Sequence, residues 1–441
     1  MSKQKQIILN FFLNSTGVHE MGWKHPDAQP ERVSDLSHYI KLVQIAEAAK
    51  FHAVFLADDL SLNPLVSTHG LILGFEPVSL LSSLAAVTSR IGLIATVSST
   101  YTEPFNTARI FASLDHLSGG RAGWNIVTTA DNRNSQLNFQ NEEAISHETY
   151  YSRAEEFVQV AKKFWDSWED DALVFDRKEG IYADSNKIHT FDHHGEFYHA
   201  KGPLNIPRSP QGYPVLVQAG ASEIGRNFAA RTAEIVYTMQ SSWETAQAFY
   251  ADMKSRVEKF GRDRDDLKII PGICPIIGKT ESEAKEKAAE FNELLDVRSG
   301  VKRLSLALEH DLSGYPLDEP LPDVSTISNQ STHSQLILAI ARNEQLTLRE
   351  LVHRVSSGNG HLTFVGTPVQ VADQLEAWFL KAADGFAIRP QLSPSGLEDF
   401  AKWVVPELQR RGLFHKEYSG KTLRENLGLK RPANSLSKQF S

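Results

Sequence analysis

Residues 91–129 read IGLIATVSSTYTEPFNTARIFASLDHLSGGRAGWNIVTT. An apolar run, Gly92 to Val97, passes into hydroxyls at Thr96, Ser98, Ser99 and Thr100. Pro104 stands where a first helical turn tolerates it. Ala108, Phe111, Ala112 and Leu114 then recur at helical spacing, and Gly119 and Gly120 end that helix. A second apolar run, Ala122 to Val127, again finishes in hydroxyls, Thr128 and Thr129. Two short buried runs joined by a helix make a strand–helix–strand unit with parallel strands. In parallel α/β folds, ligands bind at the C-terminal ends of the strands. Capping of loops and helices accounts for any single Ser or Thr there; two adjacent strands that end alike point to a binding edge.

The same alternation runs through the chain. Apolar runs start near residues 7, 53, 92, 122, 215, 235, 268 and 385, and helical patterns separate them. Eight strands alternating with helices predict an α/β fold, a (β/α)8 TIM barrel. A doubly wound open sheet is the competing architecture, but no Gly-x-Gly-x-x-Gly follows the first strand. The 441 residues exceed the roughly 250 of a plain barrel. Two polar stretches, about 166–212 and 296–362, take up the excess as insertions in a single barrel domain spanning 1–441. Within the second, Ser334 to Ala341 reads as a helix. Lys268 to Ile277 reads as a strand broken by Pro271 and Pro275, and the tail after Gly412 as basic with no apolar pattern.

The formal net charge of −8 argues against nucleic acid or an anionic membrane as partner and leaves a small molecule. Cys274 is the sole cysteine, so no intrachain disulfide forms, which fits a reducing compartment. Its apolar surroundings, IIPGICPIIG, mark a buried thiol. There is no signal-peptide pattern, and no apolar run approaches the about 20 residues of a membrane span. The expected location is the cytoplasm.

On a barrel the strand ends converge on one pocket, here receiving Asp58, Thr96, Ser98, Asn125, Thr128, Gln218 to Ser222, Thr238 and Arg389. Hydroxyls and amides dominate, which suits a large neutral ring system; a metal wants clustered His and carboxylate ligands. Gly220, Ala221 and Ser222 follow a strand and open a helix, so free N–H groups and the Ser222 hydroxyl can hold a phosphate, though an ordinary N-cap serine looks the same. Arg226 adds a cation in the next turn, for the anion or for a surface carboxylate. His147 and Tyr151 share one helix face, as cofactor donors or as a cap and a half-buried ring. His189, His193, His194 and His199 fit no standard zinc spacing, and no metal is expected. Trp23, His25 and Pro26 lie in the first strand–helix loop, at the pocket rim. His19, in the same loop, is either a general acid–base or a solvated side chain.

Seven stretches together carry a family resemblance: WKHP from Trp23, FLADD from Phe55, FEPVSLLSSLAAVT from Phe75, YTEPFNTAR from Tyr101, LDHLSGGRAGWNIVTT from Leu114, QAGASEIGRNFAA from Gln218 and FVGTPVQVADQL from Phe364. Over about residues 5–430 the chain resembles the bacterial luciferase-like flavin monooxygenases, in the branch of nitrilotriacetate, long-chain alkane and dibenzothiophene-sulfone monooxygenases. The resemblance implies a (β/α)8 barrel that binds reduced FMN, supplied by a separate NAD(P)H:FMN reductase. Dioxygen and that flavin form a flavin hydroperoxide, which oxygenates a small organic substrate. By similarity, Asp58, Thr96, His147, Tyr151 and Ser222 match FMN-binding positions, Asn125 lies near the ring, and Ala221 and Ser222 hold the phosphate. A homodimer or homotetramer is implied as well.

Alkane-oxidising relatives carry a cysteine in the first loop and a histidine where Ala130 follows Thr129 here, so a plain alkane is disfavoured. Arg389 ends the last strand, placed for a substrate carboxylate unless it faces outward; Trp23 is the other substrate-side candidate. The expected substrate is a polar sulfur- or nitrogen-containing compound. Two other readings stay open: a deazaflavin-dependent oxidoreductase on the same barrel, and a non-catalytic flavin-binding protein.

Overall fold

Eight of the apolar runs pair edge to edge and close on themselves. In chain order they are β1 (Ile8–Phe12), β2 (Ala53–Leu56), β3 (Gly92–Ser98), β4 (Ala122–Val127), β5 (Val215–Gln218), β6 (Ile235–Thr238), β7 (Lys268–Ile277) and β8 (Gly385–Ile388). Each bonds in parallel to the next, and β8 returns to β1, giving the closed barrel of a TIM fold. This computed structural model describes residues 5–62, 74–128, 133–139, 146–321 and 332–437. Thr129 and Ala130 lie outside them.

Side-chain parity builds two apolar layers. Ile8, Ala53, Phe55, Ile94, Val215, Val217, Ile235, Tyr237, Ile270 and Ala387 fill the barrel interior. Their strand neighbours Leu9, Phe11, Val54, Leu93, Trp124, Leu216, Ile273 and Phe386 face the surrounding helices. Those helices include Leu36–Ala48, Pro104–Ser118, His147–Trp165 and Pro368–Lys381. Gly119 stops the second of these in a left-handed conformation, φ 69°, at the Gly-Gly pair.

Four features differ from the sequence reading. β7 runs unbroken for ten buried residues. Pro271 and Pro275 each forgo one ladder donor, yet the register continues through Thr238 opposite Pro271 and Phe364 opposite Pro275. The latter pairing belongs to a ninth strand, Leu362–Gly366, laid on the outer half of β7. The stretch 166–212 carries two antiparallel hairpins, Leu173–Asp176 with Ile181–Ala183 and Asp192–His194 with His199–Lys201. The stretch 296–362 holds, besides Thr332–Asn343, which contains the expected helix Ser334 to Ala341, the helices Val297–Leu308 and Leu348–Ser356, all three around an apolar core of their own that includes Leu304, Leu308, Ile337, Leu351 and Val352.

The tail also departs from the expectation. Leu423, Leu427 and Leu429 enter the barrel-interior cluster, and Gly92 at the start of β3 leaves room for Leu423, whose Cδ1 would stand 2.5 Å from a Cβ there. Buried Arg424 ties the tail to Glu234. The segment closes the N-terminal mouth of the barrel, each fully buried leucine contributing about 2 kcal/mol.

Candidate active site

With the N-terminal mouth closed, the inward side chains at the C-terminal ends define the open one. From the floor upward, Asn10 donates to the Tyr237 hydroxyl at 2.8 Å, and the Tyr237 ring stacks on Phe55 with centroids 4.4 Å apart. Burial holds the Tyr237 phenol far above its ordinary range, so it stays protonated. On the next rung Thr96 and Asn125 stand opposite each other on β3 and β4. Asn125 Nδ2 donates to Thr96 Oγ1 at 3.0 Å, and that hydroxyl donates to the Leu56 carbonyl at 2.9 Å. Asn10 Oδ1 and Asn125 Oδ1 are sealed acceptors with no hydrogen-bond partner among the described residues.

The chain after β5 builds a candidate anion cradle. Ser222 caps the helix Glu223–Thr232, its hydroxyl oxygen accepting from Gly225 N at 3.1 Å. First-turn N–H groups lack intrahelical partners and sit at the positive end of the helix dipole. Tyr151 belongs to the helix His147–Trp165, set by its Ser146 cap. Its hydroxyl lies 2.8 Å from where a Cβ of Gly225 would stand, and Ser222 Oγ lies 3.0 Å from the same point. The structure thus brings together Ser222 and Tyr151 around a glycine, with the exposed His147 ring 5.1 Å from the Tyr151 ring. Glu223 in that turn is neutralised by Arg256 at 2.6 and 2.9 Å, and Arg226 bonds Asp252 at 2.8 Å, so neither charge dominates the cradle.

Asp58 lies exposed just beyond the end of β2. Desolvation, then the Glu76 charge, push its carboxyl up to about 6. Trp23 lies half-buried in a short 3-10 turn of the first loop, Gly22–Lys24, pinned by Lys24 Nζ on the Leu294 carbonyl at 2.9 Å. A cleft of about 300 Å3 opens beside it, lined by His25, Phe291, Gln391 and Lys287 among others. His19 is buried beneath the same loop. Its Nδ1 accepts from Met21 N at 3.3 Å, its ring packs on Phe291, and Nε2 has no hydrogen-bond partner among the described residues. Burial, with His353 and Arg303 nearby, lowers it to about 4, so the ring is neutral near pH 7. Arg389 continues the inward parity of Gly385 and Ala387, its guanidinium 3.7 Å from the centroid of Phe12.

Gln218 and Thr238, expected in the pocket, follow the outward parity of Leu216 and Val236. Gln218 folds back to accept from Gly220 N at 2.6 Å, and Thr238 accepts from Gln240 at 2.7 Å. Conversely Asn10, Phe12, Phe55, Tyr237 and Gly225 shape the site without having been singled out. An asparagine inside the apolar run ILNFF was the available signal for the first. The histidines of 189–199 are engaged with local partners, His189 with Glu169 at 2.8 Å and His193 with Glu156 at 3.0 Å. Among the described residues, no three His, Cys, Asp or Glu side chains gather as metal ligands. No helix among them is long and apolar enough to cross a membrane.

A closed parallel barrel whose strand ends open on a mouth lined by amides and hydroxyls, beside a capped helix start, is the layout of a barrel enzyme. Comparison with known proteins defines it further. The family model described as luciferase-like monooxygenase matches residues 15–384. The chain is 46% identical to N-acetyl-S-(2-succino)cysteine monooxygenase of Bacillus subtilis (strain 168), over 99% of this chain and 100% of the relative. It is 45% identical to nitrilotriacetate monooxygenase component A of Aminobacter aminovorans, with the same coverage. Among solved structures it resembles a riboflavin lyase crystallised with modified FMN and riboflavin, at 32% identity and TM-score 0.85, covering 97% of each chain. The chain belongs to the luciferase-like monooxygenase family and is an enzyme of that flavin-dependent oxidoreductase group.

Proposed function

We propose that this chain is the oxygenating component of a two-component monooxygenase, receiving reduced FMN from a separate NAD(P)H:FMN reductase. The observation that carries this reading is the cradle of Ser222, Tyr151 and the helix start around Gly225, which fits the phosphate that distinguishes FMN from riboflavin. The two sealed acceptors, Asn10 Oδ1 and Asn125 Oδ1, fit the N–H edge of a flavin ring. Ala221 and Ser222 would hold the phosphate with Tyr151 and His147, while Thr96, Asn125 and Asp58 would face the ring and its polyol.

Reduced flavin supplies two electrons to dioxygen, one oxygen atom entering the substrate and the other leaving as water. The protein's own part is positional. Thr96 orients the Asn125 amide, and Phe55, Phe12 and the neutral Tyr237 keep the floor dry, which favours transfer to substrate over loss to water. The relatives named above act on compounds that join sulfur or nitrogen to polar groups, and a polar sulfur- or nitrogen-containing compound is the substrate class proposed here.

The test is an anaerobic titration with photoreduced FMN and photoreduced riboflavin. FMN is expected to bind at least about tenfold more tightly, and Ser222→Ala to remove most of that advantage. Equal affinity for both would sink the cradle assignment.

A further inference from the structure

Arg389 is a cation with no counter-charge among the described residues. No carboxylate among the described residues pairs with it, and its Nε is sealed from solvent with no hydrogen-bond partner. Holding such a group inside a protein is unfavourable unless a negative charge joins it. Phe12 lies against the guanidinium and the Cys274 thiol is its side-chain hydrogen-bond partner, an arrangement that fixes the cation while leaving further N–H groups for a ligand.

A second arginine stands at the same corner. Arg354, on the helix Leu348–Ser356, donates from one terminal nitrogen to the His361 carbonyl at 2.8 Å. His361 Nδ1 donates to the carbonyl of Gly272 on β7 at 3.2 Å. Gly272 faces the barrel interior, and Arg389 Cδ lies 3.0 Å from where a Cβ would stand there. The other terminal nitrogen of Arg354 is also buried and has no hydrogen-bond partner among the described residues. Its Nε has Glu344 at 3.4 Å as its acidic partner among the described residues. Both cations act on Cys274, the next inward residue of β7. Burial pushes its thiol up to about 11 against the opposing pull of Arg389 and then Arg354.

We propose that Arg389, seconded by Arg354, is a carboxylate dock, and that the substrate class of this mouth is an organic acid held by its carboxylate while a neighbouring heteroatom or its carbon is oxygenated. This rests on the mouth being the oxygenation site. Arg389 acts as a specificity determinant, and the helices of 296–362 contribute to the choice through Arg354.

The experiment is calorimetric binding of three probes to the FMN-loaded enzyme: thiodiacetate, iminodiacetate and 2-(methylthio)succinate, each against its dimethyl ester. At least one acid is expected to bind about 10- to 100-fold more tightly than its ester. Arg389→Met should erase that ratio, Arg389→Lys should keep part of it, and Arg354→Met should reduce it. No acid preferred over its ester in wild type, or a preference that survives Arg389→Met, overturns the proposal. Reduced-FMN affinity and melting temperature are measured on each variant. Unchanged values show that the fold and the flavin reading stand whatever the acid-to-ester ratio does, whereas weak flavin binding in wild type itself counts against the reading beneath the proposal.

Discussion

Asn125 on β4 donates its amide to the Thr96 hydroxyl on β3 across 3.0 Å, and Thr96 spends its own proton on the Leu56 carbonyl. Because that hydroxyl is already donating, the amide must face it with nitrogen, which fixes Asn125 Oδ1 as the acceptor with no partner among the described residues. Thr96→Val keeps the shape and removes both bonds. We expect a stability loss of about 1–3 kcal/mol by chemical denaturation, with weaker reduced-FMN binding. Thr96→Ser should restore most of both.

Gly225 works by having no side chain. A methyl there would meet the Tyr151 hydroxyl at 2.8 Å and Ser222 Oγ at 3.0 Å. Alanine is a better helix former than glycine, so Gly225→Ala should leave the melting temperature within a few degrees of wild type while closing the cradle. The expected result is FMN affinity down about tenfold or more, with riboflavin affinity little changed. Titration of both flavins checks it.

His19 gives a pH signature. Its folded value is lowered from 6.5 to about 4, first by burial and then by His353 and Arg303. Below pH 6.5 the unfolded chain takes up a proton that the folded one refuses, so the stability tied to neutral His19 is present above 6.5 and is lost as pH falls towards 4. Denaturation curves for wild type and His19→Gln should converge at pH 7.5 relative to their own maxima. By pH 4 wild type should have lost up to about 3 kcal/mol more than the variant. Parallel acid-side losses would contradict the assignment.

The closing tail separates stability from chemistry. Leu423 is fully buried among Leu427, Leu429 and the barrel-interior residues, at the end opposite the open mouth. Leu423→Ala should cost about 2–4 kcal/mol in denaturant unfolding. Reduced-FMN affinity at low temperature should match wild type.

The barrel was legible because each β strand is a short apolar run bounded by turn residues. The edges of Ala122–Val127, His147–Trp165, Ile235–Thr238 and Gly385–Ile388 in the structure coincide with the changes of pattern in the sequence. Proline hid the continuity of β7, since the cost of two missing donors is local while the rest of the ladder is satisfied by three neighbouring strands. The tail was hidden by its charges. Its signal was a capping box, Thr422 with Glu425, opening a short helix whose one leucine, with Leu427 and Leu429 after it, sits among Arg and Lys. The same box, Thr347 with Glu350, opens the helix that bears Arg354. The Ser222 cap was readable from small residues between strand and helix. The parity that turns Gln218 and Thr238 away from the mouth, and Arg389 into it, depends on where each strand begins, and a shift of one residue reverses it.

Oxygenation driven by reduced FMN is read from product mass under 18O-labelled dioxygen with photoreduced FMN, using the acid probe that binds best. The expected result is one labelled oxygen in the product, or label retained in a fragment cleaved beside the heteroatom, and none when riboflavin or oxidised FMN replaces the reduced cofactor. Unlabelled product formed without oxygen from a reduced deazaflavin, with no labelled product from reduced FMN, would contradict it.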